Sequence, residues 1–383
     1  MHVHLARRDA GSASAGGLGP ALSVARGVLL GLLVWLLLGC ESLRFYGQAV
    51  QGQLTILAGR QSVARVLARA DTSDALRARL RLVQEARRFA EARLALPVGH
   101  RYESYVDLQR PYAVWSVFAA PQLSLEPEQW CYPIVGCAVY RGYFERAQAE
   151  RFATELRQRD LEVHVGGVIA YSTLGWFDDP VLSSFNALRD DELVGLIFHE
   201  TAHSLVFVPG DSRFNESFAT YVEEEGLRQW YQARGDAAGL ANARKERAVR
   251  ADFVRFVLDW RAQLEAVYSS NDSVAVKQAR KQQVFAAMRA AYRSGQTSFS
   301  GRYDRFVNQQ LNNAAFISFS TYYSWLPAFV RLHHRSGSLA AFYTQVRALA
   351  TLAPDARTAA LEALLAEQKK LAEQKQLLQD SST

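Results

Sequence analysis

The chain has no apolar run long enough to span a membrane. The stretch from Gly27 to Leu38 has twelve residues, against the about 20 that a spanning helix needs. Cysteine is scarce: three among 383 residues are too few for a disulfide scaffold. There is no Lys/Arg block and no basic–aromatic stripe, which argues against a nucleic-acid partner. No repeat of fixed period is visible. The composition is 49% hydrophobic, 21% charged and 11% aromatic. That excludes a disordered or fibrous protein and allows one large core or two. The formal charge is +6, but residues 1–39 carry Arg7, Arg8 and Arg26 against Asp9. The remainder holds 41 basic and 37 acidic side chains, a mild +4.

Residues 1–26 are rich in Gly, Ser and Ala, and the twelve-residue run behind them suits the apolar core of a signal peptide. It ends in Leu37-Leu38-Gly39-Cys40, which resembles the lipobox of bacterial lipoproteins, although Leu38 is bulkier than the usual small residue. The resemblance implies a signal peptide over 1–39 and lipidation at Cys40. It implies a protein anchored in the bacterial cell envelope and facing the periplasm. Several acyl chains on one cysteine hold a soluble domain stably on a membrane. An uncleaved anchor or an ordinary secretory signal is the alternative. Cys131 and Cys137 then remain as an even pair in an exported chain, with Pro133 and Gly136 suited to a tight turn between them. A disulfide is expected, with two buried thiols as the other reading.

Residues 40–97 read as an N-terminal helical segment, in which Leu76, Leu80, Val83 and Phe89 recur at roughly helical spacing before Pro97-Val98-Gly99. From 102 to 143 aromatic and β-branched residues mix with proline, as in strands and loops. Residues 144–160 predict a helix, and Val163–Leu174 a strand. Asp190 onward is almost wholly helical. The catalytic unit is expected over 98–353, and 354–383 as an exposed C-terminal helix or tail. The fold class is α+β, predominantly α-helical, with a small β-sheet packed against the helix described next.

That helix carries His199-Glu200-Thr201-Ala202-His203. Two histidines four apart face the same side of a helix, so both imidazoles can reach one metal ion. The glutamate between them projects beside the metal and can deprotonate its bound water. Asp190 can cap the helix, Asp191 and Glu192 suit its positive end, and Pro209-Gly210 closes the segment. Hydrolytic zinc wants three protein ligands and an open fourth position. Twelve residues after His203, Glu216 stands near the start of a second helix and can supply the third. Glu223, two turns further, faces the same way and is read as the acid that orients a ligating histidine. Glu223 as the ligand itself is the competing assignment.

Phe-Asn-Glu-Ser-Phe-Ala-Thr-Tyr-Val-Glu (214–223) resembles a stretch of the gluzincin aminopeptidases, although those enzymes place it 18 residues after the second histidine. Their Gly-x-Met-Glu-Asn strand is absent here. The chain is more similar to a family of bacterial lipoproteins called predicted aminopeptidases. That likeness covers nearly all of residues 40–383. It rests on Gly39–Ser42, Cys131–Cys137, Tyr140–Phe144, Tyr171–Pro180, the histidine motif, Asn312–Ala314 and Tyr322–Pro327. The resemblance implies one zinc per chain on His199, His203 and Glu216, with Glu200 as general base. It implies a peptide substrate and an oxyanion donor from elsewhere in the chain. Tyr323 is the choice for that donor; Tyr322, His333 and His334 are the alternatives. In zinc peptidases an edge strand before the zinc helix pairs with substrate. Tyr171–Leu174 suits that role, and Asp178 and Asp179 suit the substrate's free amine. A capped turn before Pro180 explains the two acids equally well. The function expected is therefore a zinc aminopeptidase. The alternatives are a non-catalytic envelope lipoprotein binding peptide or peptidoglycan, and a zinc amidase or endopeptidase.

Overall fold

The computed structural model describes residues 44–132, 136–170, 177–295, 299, 301–308 and 311–380. The side chains of 318–322, 372–373 and 375–380 are set aside. Cys40 and residues 1–39 lie outside that description. The chain divides into two units, Met1–Gln53 and Leu54–Thr383. In the first, residues 44–53 are helical, and this helix, α1, runs over 44–58.

In the second unit helices dominate, and the strands are short. The elements are β1 (Gln61–Ser62), α2 (Val63–Ala68), α3 (Asp74–Leu94), β2 (Ser104–Val106), β3 (Val114–Pro121), β4 (Trp130–Tyr132), β5 (Gly136–Ala138), β6 (Arg141–Tyr143), α4 (Arg146–Gln158), β7 (Leu161–Val168) and β8 (Val181–Leu182). A 3₁₀ turn, Ser183–Ala187, leads into α5 (Asp190–Leu205), α6 (Ser212–Ala233), α7 (Ala237–Ser269), α8 (Val274–Ser294), α9 (Asp304–Asn308), α10 (Asn313–Tyr323), α11 (Leu326–Ser336), α12 (Leu339–Ala350) and α13 (Pro354–Asp380). The fold is α+β and predominantly helical. Among the described residues no helix is long and apolar enough to cross a membrane.

Among the described residues three small sheets form: β6-β3-β7, which is antiparallel, β1-β2-β8, and the β4-β5 hairpin. β3 is central because it is apolar and buried along almost its whole length, so it can be covered on both faces. α4 and α10 pack against its sheet. α10 is pinned there by Asn313, whose backbone N–H donates to Glu162 and whose amide donates to the carbonyls of Pro121, Gln122 and Ser124. α10 in turn packs on α6. The β1-β2-β8 sheet shares a core with α5 through Tyr105, Val106, Val181 and Leu182, while the β6-β3-β7 sheet is linked to α5 through α10 and α6.

The principal core joins α3, α5, α6, α11, α12 and α13, so Leu80, Val83 and Leu94 pack in one cluster with Ile197, Phe198 and Phe218. A second cluster, around Phe253, Phe285 and Tyr292, holds α7, α8 and the start of α10 together. The C-terminal helix departs from the expected exposed tail. Leu361 and Leu364 are buried in the principal core, and Arg357, 4% exposed, pairs with Asp211 at 2.9 Å. The sequence shows α13 as Ala/Leu/Glu/Lys/Gln-rich, which hides the fact that its first turns have an apolar face to cover.

α5 and α6 approach closely at Gly226. A Cβ there would sit 2.5 Å from a ring carbon of Phe198 and 2.9 Å from Leu94, and both neighbours are buried. Gly226→Ala should therefore destabilise the fold by about 2 kcal/mol through overpacking, read as a lower urea midpoint with an unchanged slope. At Gly142, where nothing lies within 4 Å of a built Cβ, alanine should shift that midpoint far less.

Candidate metal centre

Arg189, not Asp190, is the N-cap of α5. Glu192 reaches back to accept from the Arg189 N–H at 2.9 Å, while Asp190 pairs with Arg79 on α3 at 2.6 Å. Three acids in the first turn suit the positive end of the helix. The helix ends at Leu205, and a short loop with Gly210 at φ +82° turns the chain into α6. Asn215 fastens this turn. Its side chain accepts from the Val208 N–H and donates to the Val208 carbonyl, both at 2.8 Å. Asp211 caps α6 by accepting from the Phe214 N–H at 3.0 Å. The residue before Glu216 thus sets where Glu216 stands relative to α5.

The result is a group of three, two buried histidines and a half-buried glutamate. Ligand atoms of His199, His203 and Glu216 all lie within 4.8 Å of one another. His199 Nε2 is 3.3 Å from Glu216 Oε2, and His203 Nε2 is 3.8 Å from the same oxygen. Tetrahedral zinc with bonds of 2.0–2.1 Å separates its ligand atoms by about 3.3 Å, so this donor set fits one such ion. Glu223 lies on the other side of the ring, with Oε2 3.2 Å from His199 Nδ1. It is placed to orient that imidazole while Glu216 faces the metal position. Arg250 of α7 stands behind it, 3.5 Å from Glu223 Oε1.

Burial alone would lower the His199 pKa, but hydrogen bonds to Glu216 and Glu223 outweigh it and push it to about 10. Burial takes His203 down to about 4. It raises Glu200 to about 7, helped by Glu216, Asp179 and Glu223 and opposed by His199. Glu216 and Glu223 stay below the usual carboxylate range because the imidazoles, and Arg250 beside Glu223, outweigh their burial.

The other sequence candidates separate. Asp179 is buried and within electrostatic reach of Glu200. Asp178 is exposed, and its carbonyl accepts from Arg60. Tyr171 lies outside the described residues, as does the rest of 171–176. Tyr323 is half-buried, and its charged neighbours are Arg250, Glu223 and Glu224. His333 is bonded to Tyr221, and its charged neighbours are Glu225, His334 and Arg228. Two tyrosines that the motif reading passed over interact electrostatically with Glu200. Tyr102, at φ +63° and 2% exposed, lies near Glu200 and Asp179. Tyr140 lies near Glu216 and Glu200. Nothing in their spacing relative to the histidines marks either one. Cys131 and Cys137 are opposite each other in the β4-β5 register and form a disulfide.

The sequence model of a family described as "Putative aminopeptidase" matches residues 44–361. The chain belongs to this family. No curated protein and no solved structure matches it. Membership makes the chain a peptidase and implies a peptide substrate. The His199–His203–Glu216 group is compatible with a metal-dependent member.

The two glutamates should respond differently to removal of charge. Glu216→Gln should abolish stoichiometric zinc binding. Glu223→Gln should retain one zinc per chain with affinity about 10–100-fold weaker. Competition with a chromogenic chelator reads both. Equal loss in the two variants would show that Glu223 is itself a ligand.

Proposed function

We propose that the protein is a zinc-dependent aminopeptidase of the bacterial cell envelope. The observation that carries this reading is the convergence of His199, His203 and Glu216, with Glu200 beside them and Glu223 behind them. When bound, zinc supplies a Lewis acid for a carbonyl oxygen and lowers the pKa of its water to about 7. Glu200 accepts the proton of the attacking water and passes it to the leaving amine. Asp179 shares the reactive side with Glu200, and its buried carboxylate suits the cationic amine at a peptide's N-terminus. Asp178, exposed on the neighbouring surface, is less suited to that role. Removal of residues 1–39 and lipidation of Cys40 would hold the catalytic unit at the membrane surface. The Cys131–Cys137 disulfide supports an oxidising compartment.

The test is peptide turnover by the zinc-loaded chain, with products identified by mass. Residues should leave one at a time from the N-terminus. Glu200→Gln should keep its zinc and lose about 10³-fold in kcat. Asp179→Asn should raise KM for free peptides while leaving peptides with an acetylated N-terminus equally poor substrates. Internal cuts would make the protein an endopeptidase. Zinc binding without turnover of any peptide would favour an amidase or a binding protein.

A further inference from the structure

Helix α1 is covered on a polar side and open on an apolar one. Tyr46 and Val50, four residues apart and so on one face, are 43% and 58% exposed. Gln48, on the opposite side of the same turns, is 8% exposed. Leu54, the next residue in the four-residue series, is 59% exposed. A helix at the surface of a protein in water has the reverse pattern, with its apolar stripe on the core. Among the described residues, the other large hydrophobic side chains this exposed are Phe177, Val274, Val276, Leu352 and Leu371, and no other element holds three. Single exposed apolar residues need no explanation, whereas a stripe of them does.

What stands before the helix indicates what covers the stripe. Cys40 is four residues ahead of Arg44, where α1 begins. Four extended residues span at most about 14 Å. With Cys40 acylated, the helix therefore starts within that distance of the lipid. Charge points the same way. Residues 42–70 hold four arginines and no acid, and Arg44 and Arg65 are exposed. Anionic headgroups attract such a segment. The ring and hydroxyl of Tyr46 suit the boundary between headgroups and acyl chains. A second copy of the chain is a poor occupant, because three side chains fall well short of the roughly 1,200 Å² that a stable protein pair buries. A bilayer needs no such area, since a lipid tether already holds the helix beside it.

We propose that the stripe Tyr46, Val50 and Leu54 lies in the surface of an anionic phospholipid bilayer, so that the chain is held by a helix as well as by its acyl anchor. The inference rests on the lipidation of Cys40 proposed above and is independent of the peptidase reading. It makes α1 a helix that lies on the membrane rather than one that crosses it.

The test uses the full chain, processed in bacterial membranes and added from outside to vesicles of phosphatidylethanolamine and phosphatidylglycerol. With Cys40 acylated and Cys131 and Cys137 in a disulfide, an introduced thiol alone takes a nitroxide label. Val50→Cys, Gln51→Cys and Val274→Cys are labelled one at a time. All three positions are exposed, so the melting temperature should not change. Collisions with a water-soluble nickel chelate should be about tenfold rarer at position 50 than at position 274. Position 51, about 100° further round the helix, should stay close to the value at 274. Equal access at 50 and 274 would overturn the proposal. So would equal shielding at 50 and 51, which a stripe lying on a surface does not give. Magnetic broadening between labels at position 50, lost on dilution with unlabelled chain, would place a second copy on the stripe and overturn it too. A mature N-terminus without acyl mass on Cys40 would overturn the anchor reading itself, which the mass of the N-terminal peptide decides separately.

Discussion

One imidazole organises this structure. His199 is held between two carboxylates of a single helix, with Glu216 3.3 Å from Nε2 and Glu223 3.2 Å from Nδ1. Seven residues on α6 rise by about 10 Å, enough for two glutamates to bracket a ring lying across the helix. The bracket works only if α5 and α6 are close and in register. Asn215 sets the register through Val208, and Gly226 lets Phe198 and Leu94 lie against α6. Arg357 reaches from α13 to Asp211, the cap of α6. Contacts that look like ordinary packing are therefore conditions on the distance between a histidine and a carboxylate.

The arrangement has two sides. Behind the ring, α6, α7 and the end of α10 place Glu223, Arg250 and Tyr323 together. The guanidinium lowers the cost of burying Glu223 as a charged group, and Glu223 in turn fixes the ring. In front, Glu200, Asp179, Tyr102 and Tyr140 come from α5 and from three separate segments between 98 and 180. Helices supply the candidate metal ligands, and the strand-and-loop region supplies the groups proposed to meet a substrate.

This division explains what was legible in the sequence. His199, His203, Glu216 and Glu223 lie on two helices, where spacing alone fixes which side chains share a face. The helices over 43–95 and from 190 onward follow from periodicity in the same way. Tyr323 shows where such reasoning stops. It lies far along the chain from Glu223, and where it comes to lie depends on α10 being pinned to β3 by Asn313. Tyr140 was hidden for the same reason: its electrostatic link to Glu216 and Glu200 joins residues far apart along the chain. The packing of α13 was hidden because its apolar face is short and its neighbours are polar.

Separation of the two sides also bears on how such a site can vary. A change in Asp179 or near Tyr140 alters groups on loops and short strands, where the scaffold tolerates it. A change at Gly226 or Asn215 alters the α5–α6 register and so the ligand set itself. The disulfide sits on this boundary. It belongs to the strand region, but through Gly136 it bears on Gly210 in the turn between the ligand helices. A seven-residue loop closed by a covalent bond loses little entropy on folding, and here it fastens a hairpin whose two strands have three residues each. α5 and α6, by contrast, are held by a core.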